Sequence, residues 1–397
     1  MRTVGTVVRG IRAPMIRKGD DIAEVAASAV MEAWKQENIV PQNADVVAVT
    51  ESVVARSQGN YATIDQIAAD VRAKTGGKTV GVAFPILSRN RFSALLRGIA
   101  RGCERVVMLL SYPSDEVGNP LVDWDMVDAA GVNPYSDVLT LEQFRKAFGV
   151  VLHPFTGMDY ISFYADLIRA EGAQVEMIFG NRVQAILDYT DTVITCDIHT
   201  RARSKRLLKQ AGARTVLGLD DILTQSINGS GFHPEFGLLG SNLATEETVK
   251  LFPRDCNEIA ERMSKILSEA SGKRIEAMVY GDGAFKDPVG KIWELADPVV
   301  SPGFTKGLAG TPNELKLKYL ADNDFKDLSG EALDEAIRER VRRKTGDSLV
   351  GQMAAQGTTP RRITDLLGSL CDLTSGSGDK GTPVIYIQGY FDNFANT

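Results

Sequence analysis

The chain has 397 residues, and its 45 Lys and Arg against 51 Asp and Glu give a net charge of −6. That length allows two or three domains with a sizeable core, while basic residues spread through an acidic chain argue against nucleic-acid binding. The four cysteines form no C-x-x-C pair, which argues against zinc and a disulfide framework, and no apolar run approaches the roughly 20 residues of a membrane span. We therefore expect a cytoplasmic enzyme.

The first 87 residues alternate between strand-like and helical patterns. TVGTVVRG at residues 3–10 predicts a strand, and the apolar period of DDIAEVAASAVMEAWKQ predicts an amphipathic helix. DVVAVTESVVA at residues 45–55 is apolar enough to be a strand buried on both faces. A helix over about residues 63–74 then leads to the strand-like TVGVAFPIL. We interpret residues 1–87 as the N-terminal part of a split domain.

Residues 88–230 repeat this alternation at the spacing of βαβ units. Helical FSALLRGIARG precedes the strand-like RVVMLLSYP, helical YISFYADLIRAEG precedes QVEMIFGN, and DTVITCDIH precedes helical SKRLLKQAG. This order predicts an inserted α/β layer with a mainly parallel sheet. Residues 231–397 would then form the C-terminal part of the split domain.

Within that C-terminal part, a helix at about 255–270 leads to the strand RIEAMVYGDG, and a charged helix, GEALDEAIRERVRRK, follows. The last third ends in a glycine-rich segment, TSGSGDKGTPVIYIQGY at residues 374–390. It departs from a Walker loop because Gly381 is followed by Thr382 and a strand, and from a Rossmann loop because the order is helix, loop, strand. Its backbone N–H groups can still converge on an anion, with Lys380 adding charge. The alternative is a tight glycine-rich turn.

Acidic side chains gather where the strand RIEAMVYGDG ends. Asp282 stands there between two glycines, and Asp287, Glu294 and Asp297 follow within a short span. Active sites usually lie at the carboxyl ends of sheet strands, and oxygen ligands of this kind suit Mg²⁺ or Mn²⁺. The alternative is a turn in which Asp bonds its own backbone, and it suits Asp287, which precedes a proline.

Two basic segments also follow predicted strands. FPILSRNRF carries Arg89 and Arg91, and CDIHTRARSKR carries Arg201 and Arg203. Each segment is a candidate for binding a carboxylate or phosphate, and a solvated basic face is an equally good interpretation. No serine lies in G-x-S-x-G and no cysteine has an activating context, so we expect no nucleophilic triad.

Several separated segments resemble the coenzyme F-420 γ-glutamyl ligases, over about the first 85 residues and most of 236–390. The segments are APMIRKGDDIAEV, DVVAVTESVVARSQGN, LLGSNLATEETVKLFPRD, MVYGDGAF and TSGSGDKGTPVIYIQGY. In the second, Arg56 stands where the family has lysine. The fourth is similar to a strand that ends in a metal-binding Asp, and the fifth is similar to a glycine loop that wraps a nucleotide.

The resemblance implies a fold, an activity and a site. Family members use GTP and a divalent metal to join L-glutamate to a carboxylate of a deazaflavin precursor, and they are typically homodimers. We therefore expect an α/β protein in which an α+β ligase-like scaffold carries the inserted layer. Its reaction would be amide formation through an acyl phosphate, with GTP or ATP, Mg²⁺ or Mn²⁺, an amino acid and a small carboxylate acceptor. The alternatives are a nucleotide- or metabolite-binding protein that has lost ligase activity, or another phosphoryl-transfer enzyme.

Carried over residue by residue, the implied catalytic residues are Asp282, Lys380 and Arg56, and the implied metal ligands are Asp282 and Asp287. The implied nucleotide site consists of Ala13, Pro14, Met15, Ile16, Glu51, Ser52, Arg56, Asn242, Gly376, Ser377, Gly378, Asp379, Lys380, Gly381, Thr382 and Pro383. Substrate binding is assigned to Arg89, Arg91, Arg201 and Arg203. One position departs from the family, because Leu239 stands where a metal-binding Asp is expected; Glu235 and Asp287 are candidates to replace it.

Overall fold

A computed structural model describes residues 3–286, 293–344, 349, 351–355, 362–374, 376 and 378–395. Within these residues no helix has the length and apolar character needed to cross a membrane. The N-terminal elements are β1 (Val7–Ile11), α1 (Ile22–Gln36), β2 (Asp45–Thr50), α2 (Glu51–Gln58), β3 (Tyr61–Thr63) and α3 (Ile64–Thr75).

The middle of the chain contains β4 (Thr79–Ala83), α4 (Ser93–Arg101), β5 (Arg105–Leu110), α5 (Trp124–Ala130), β6 (Leu139–Thr140), α6 (Leu141–Phe148), α7 (Tyr160–Ala170), β7 (Gln174–Phe179), β8 (Thr192–Thr195), α8 (Arg201–Gln210) and β9 (Thr215–Gly218). The C-terminal elements are β10 (Asn242–Thr245), β11 (Thr248–Lys250), α9 (Cys256–Ser271), β12 (Ile275–Tyr280), β13 (Phe285–Lys286), β14 (Trp293–Glu294), β15 (Gly303–Phe304), α10 (Leu317–Tyr319), α11 (Gly330–Arg342), α12 (Ile363–Thr374) and β16 (Val384–Gln388).

The two ends of the chain build one five-stranded sheet, in the order β1-β16-β2-β12-β15. Its central strands β2 and β12 are parallel, and every residue of both is buried, as expected for strands covered on both faces. Helices α1 and α9 cover one face and α12 covers the other. The predicted buried strand at 45–55 is therefore confirmed in its first half, and the helix α2 begins at Glu51.

The inserted layer is a six-stranded sheet in the order β6-β7-β5-β4-β8-β9. All neighbours are parallel except β6 and β7, which confirms the prediction of a mainly parallel α/β sheet. The chain runs outward from β4 through β5 to β7, then returns to β8 on the other side of β4. This reversal leaves a crevice at the carboxyl ends of β4 and β8, where doubly wound sheets usually bind ligands.

The inserted sheet begins earlier in the chain than residue 88. Strand β4 already belongs to it at Thr79, and α3 packs against α4, since a Cβ on Gly98 would lie 2.5 Å from the Ile67 side chain. The apolar pattern of TVGVAFPIL predicts a buried strand but carries no signal for which sheet the strand joins, because strand pairing is decided by distant residues.

Candidate active site at the carboxyl ends of β2 and β12

Acidic residues follow both central strands of the five-stranded sheet. Thr50 pairs with Tyr280 in the parallel register, so β2 and β12 end level with one another. Glu51 comes directly after β2, and Asp282 comes two residues after β12. This edge of a parallel pair is the usual place for an active site, and the two carboxyl groups are brought to it by backbone register alone.

Glu51 forms a buried ion pair with Lys250. The Lys250 Nζ lies 2.8 Å from Oε1 and 3.1 Å from Oε2 of Glu51, and both side chains are less than a tenth exposed. Lys250 is placed here because β11 pairs with β3, the strand that follows α2. Burial raises the pKa of Glu51, and the charge of Lys250 acts in the opposite direction.

Arg91 joins Asp282 to Asp297. Its Nη2 lies 2.5 Å from Asp282 Oδ2 and its Nη1 lies 2.8 Å from Asp297 Oδ1, while Asp297 Oδ2 accepts the Asp282 N–H at 2.8 Å. Burial opposes the charge of Arg91, but Asp297 and Asp282 raise its pKa well above the ordinary value. Arg91 belongs to the inserted layer, in the segment between β4 and α4.

The glycines beside Asp282 allow this close packing. A Cβ on Gly281 would lie 2.4 Å from Asp297 Oδ2, and a Cβ on Gly283 would lie 2.9 Å from the Ser369 Cα. The Gly283 N–H donates to Asp372 Oδ2 at 2.8 Å. Burial raises the pKa of Asp372, and the nearby charge of Asp297 raises it further. The two glycines of the G-D-G sequence therefore allow α12 and the segment around Asp297 to pack closely against Asp282.

The segments that were predicted to bind a nucleotide converge around the same sheet edge. The Ala13 N–H donates to Gly381 O at 3.3 Å, and the Thr50 N–H donates to Pro383 O at 3.0 Å. Arg56 Nε donates to Ile16 O at 2.6 Å, so its side chain ties α2 to the 13–16 segment. The glycine loop thus lies between the two N-terminal segments.

The remaining predicted nucleotide residues lie around these contacts. Asn242 opens β10 and pairs with Lys250 in the register, and the Leu243 N–H next to it donates to Asn90 O at 2.8 Å. Lys380 is exposed, and Gly381 has a φ of +64°, a left-handed conformation that favours glycine. Ser377 lies outside the described residues.

A cavity of about 1120 Å³ adjoins the glycine loop. Its lining includes Arg9 and Arg12 from the β1 segment, Pro14, and Lys380 and Thr382 from the loop. Thr382 is 91% buried, and its Oγ1 has no hydrogen-bond partner among the described residues. The lining also includes Glu24, Glu32 and Glu37, so the cavity presents carboxylates as well as cationic side chains beside the Thr382 hydroxyl.

Comparison with protein families identifies the chain. A family model described as F420-0:Gamma-glutamyl ligase matches residues 10–389, nearly the whole chain. The chain belongs to this family. The matched range encloses the inserted domain as well as both predicted ligase-like parts. A comparison with curated proteins gives no match.

Membership of the F420-0:Gamma-glutamyl ligase family makes the protein a ligase, yet its described side chains do not fit a metal ion. No group of three or more His, Cys, Asp or Glu among the described residues could hold one, and the Asp282 carboxylate is bound by Arg91. Leu239 is buried in an apolar core and has no ligand atom, and the exposed Glu235 belongs to no such group among the described residues. Asp287 lies outside the described residues.

The predicted substrate arginines divide into two groups. Arg91 is in the acidic cluster, where it binds carboxylates of the protein itself. Arg201 binds Asp220 Oδ2 at 3.1 Å and also donates to the Ile198 carbonyl, whereas Arg89 and Arg203 are exposed. Among the described contacts, only Arg91 of the four reaches the cluster.

Sequence reasoning missed two members of this candidate site, Lys250 and Asp372. Each had a signal, because each is a charged residue in an apolar stretch: TVKLF for Lys250 and LLGSLCDL for Asp372. Charged side chains are seldom buried without a partner. Such positions therefore point to a polar site, although the sequence does not say which partner they meet.

Proposed function

We propose that this protein is a nucleotide-dependent amide ligase that joins L-glutamate, or a similar amino acid, to a carboxylate acceptor. In the first step, an acceptor carboxylate oxygen attacks the γ-phosphorus of GTP or ATP. The bond to the β-phosphate oxygen breaks, and an acyl phosphate and the nucleoside diphosphate form. In the second step, the amino group attacks the acyl carbon, the C–N bond forms, phosphate leaves, and the nitrogen loses a proton.

The observation that carries this proposal is the convergence of separate segments on one sheet edge. Residues 13–16, the start of α2 and the glycine loop are linked by direct hydrogen bonds, and the acidic cluster lies where β2 and β12 end. Chemistry of this kind needs positioning and charge neutralisation rather than a protein nucleophile. A site with Arg91, Lys250 and exposed loop amides suits that requirement.

Roles follow from position. The backbone amides of the glycine loop and Lys380 are proposed to hold the phosphates, and the adjoining cavity to hold the rest of the nucleotide. Arg56 is a positioning residue, because it fixes the 13–16 segment through Ile16 O. The Mg²⁺ or Mn²⁺ implied by the resemblance stays a prediction, as does the homodimer, and no step above depends on either.

Calorimetric titration with GTP and with ATP tests nucleotide binding. We expect micromolar binding of one of the two, and Lys380→Ala should weaken it by about 10–100-fold because a charge-assisted hydrogen bond to phosphate is lost. Lys209→Ala is a matched control, since Lys209 is an equally exposed lysine on α8. Absence of binding would contradict the proposal, and an unchanged affinity in Lys380→Ala would return the glycine loop to a plain turn.

A second experiment separates a working ligase from a binding protein. Phosphate release from the bound nucleotide should require both an amino acid and a carboxylate acceptor, and a panel of acceptor and amino-acid pairs would be screened for it. Nucleotide binding without release for any pair would favour the alternative of a binding protein that has lost ligase activity.

A further inference from the structure

The acidic cluster contains a cation where a metal was expected, and the cation is a side chain. One guanidinium, that of Arg91, contacts two carboxylates from two different segments: Asp282 at 2.5 Å and Asp297 at 2.8 Å. All three side chains are at most 17% exposed. A divalent ion bound by Asp282 and Asp297 would need to stand between the same two carboxylates. The inference rests on the proposed function in one respect only, namely that this edge is the reacting site.

On the side away from Asp282 and Asp297, Arg91 borders a small, mostly apolar cavity. The cavity that Arg91 lines together with Leu239, Gly240 and Ser241 has a volume of about 20 Å³. A single water needs roughly 10–15 Å³ of such volume, whereas Mg²⁺ usually keeps several waters. Leu239 presents an apolar side chain to this cavity and cannot act as a ligand. On this side of Arg91 there is therefore neither room for a hydrated ion nor a ligand atom from Leu239.

A guanidinium can replace a metal ion as a source of fixed positive charge that binds carboxylates or phosphates. It is planar, always charged, and binds carboxylates or phosphates with directed N–H groups. It also carries more N–H donors than its two carboxylate contacts engage, so it can contact an anionic substrate while Asp282 and Asp297 hold it in place. Unlike a metal ion, the Arg91 guanidinium is part of the inserted layer, because Arg91 lies in the segment between β4 and α4.

We propose that Arg91 replaces a divalent cation between Asp282 and Asp297, so that the inserted domain supplies a fixed positive charge to the ligase-like sheet edge. Asp282 and Asp297 are then positioning residues for Arg91 rather than metal ligands. The two carboxylates keep the guanidinium at the end of β12, where the phosphates of a nucleotide held by the glycine loop would meet it.

Binding of Mn²⁺ to the full chain, measured by electron paramagnetic resonance without nucleotide, tests this assignment. The wild type and Asp282→Asn should bind Mn²⁺ equally weakly. Arg91→Ala should gain a site at least about tenfold tighter, since the two carboxylates lose their cation, and Arg91→Ala combined with Asp282→Asn should lose that site again. Arg91→Lys, which keeps the charge, should gain none.

A matched control is Arg97→Ala on α4. Arg97 also joins two carboxylates, Glu171 and Glu247, but Arg101 contacts both of them as well. Its loss should therefore leave Mn²⁺ binding at the wild-type level. Circular dichroism of each variant establishes that the fold is kept; if Arg91→Ala does not fold, the comparison of wild type with Asp282→Asn decides the question.

Two results would overturn the assignment. One is tight Mn²⁺ binding by the wild type that Asp282→Asn weakens about tenfold or more, which would place a metal at Asp282. The other is a folded Arg91→Ala protein that gains no Mn²⁺ site, which would show that the carboxylate pair is not arranged like a metal site. Because nucleotide is absent throughout, neither result depends on whether GTP or ATP binds.

Discussion

The two sheets of this protein end in acidic residues that are satisfied in opposite ways. At the ligase-like edge, Glu51 and Asp282 are met by the side chains of Lys250 and Arg91, which reach in from other elements. At the edge of the inserted sheet, the Glu116 carboxylate accepts the backbone N–H groups of residues 198–200 at 2.6 to 2.8 Å.

The difference concerns how freely the hydrogen-bonding groups at each edge can reorient. The backbone N–H groups just before α8 are fixed in direction, so the Glu116 contacts form a closed cap. Long cationic side chains can instead turn part of their hydrogen-bonding capacity toward a substrate. The two edges also touch, since the Trp293 N–H donates to Val117 O at 2.7 Å and His199 Nε2 lies 2.7 Å from Leu295 O. The two edges are thus held together by direct hydrogen bonds.

The largest effect on stability is expected at the buried ion pair. Lys250→Met leaves the Glu51 carboxylate buried without its cation, so the free energy of unfolding should fall by about 3–5 kcal/mol. Urea unfolding measures this loss. Adding Glu51→Leu to Lys250→Met should recover a large part of it, because the unpaired charge is removed. A Lys250→Met protein within about 1 kcal/mol of the wild type would contradict the pairing.

Acidification should lower the free energy of unfolding by about 3 kcal/mol through His233, which lies in the segment between β9 and β10. Burial lowers the pKa of His233 from 6.5 to about 4, and its Nδ1 accepts the N–H groups of Glu235 and Phe236 at 3.2 and 3.0 Å. The unfolded chain therefore binds a proton that the folded chain rejects. This stability is fully present above the unfolded pKa of 6.5 and is lost as the pH falls towards 4.

The control for this effect is His233→Asn, which keeps an acceptor but does not titrate. Thermal unfolding of both proteins between pH 7.5 and 4 should show the loss in the wild type and its absence in the variant. Parallel curves for the two proteins would contradict the assignment to His233, and would point to the acidic clusters at the sheet edges instead.

The smallest effect is expected at the closed cap of the inserted sheet. Glu116→Gln removes the charge from hydrogen bonds to residues 198–200, so the free energy of unfolding should fall by about 1–2 kcal/mol. Nucleotide affinity should stay unchanged, which calorimetry measures. A loss of nucleotide affinity on the scale expected for Lys380→Ala would mean that the inserted edge, not the ligase-like edge, binds the phosphates.

Local patterns in the sequence predicted much of this architecture. Alternating apolar helices and strands at βαβ spacing predicted the parallel inserted sheet, and the buried run after Ala44 predicted β2. Asp282 was placed at a strand end because β12 is apolar and is followed by glycine. Each of these inferences depends on residues close together in the chain.

The remaining features depend on distant residues, which a single sequence does not pair. Arg91 was interpreted as a substrate contact because its segment follows a strand, and nothing in FPILSRNRF shows that Asp282 and Asp297 lie within reach. The expectation of a metal at Asp282 likewise took no account of this contact, because the contact joins residues far apart in the chain. Leu239, where the resemblance expects a metal-binding Asp, was a sequence signal that this site departs from the family pattern.

The most direct test of the account is hydrogen–deuterium exchange of the full chain with and without saturating GTP. We predict slower exchange in the glycine loop from 376 to 383, in residues 13–16 and at the start of α2, with no change in residues 197–206 at the inserted edge. Protection confined to residues 197–206 and the segment after β4 would contradict it, because the nucleotide would then lie in the crevice of the inserted sheet.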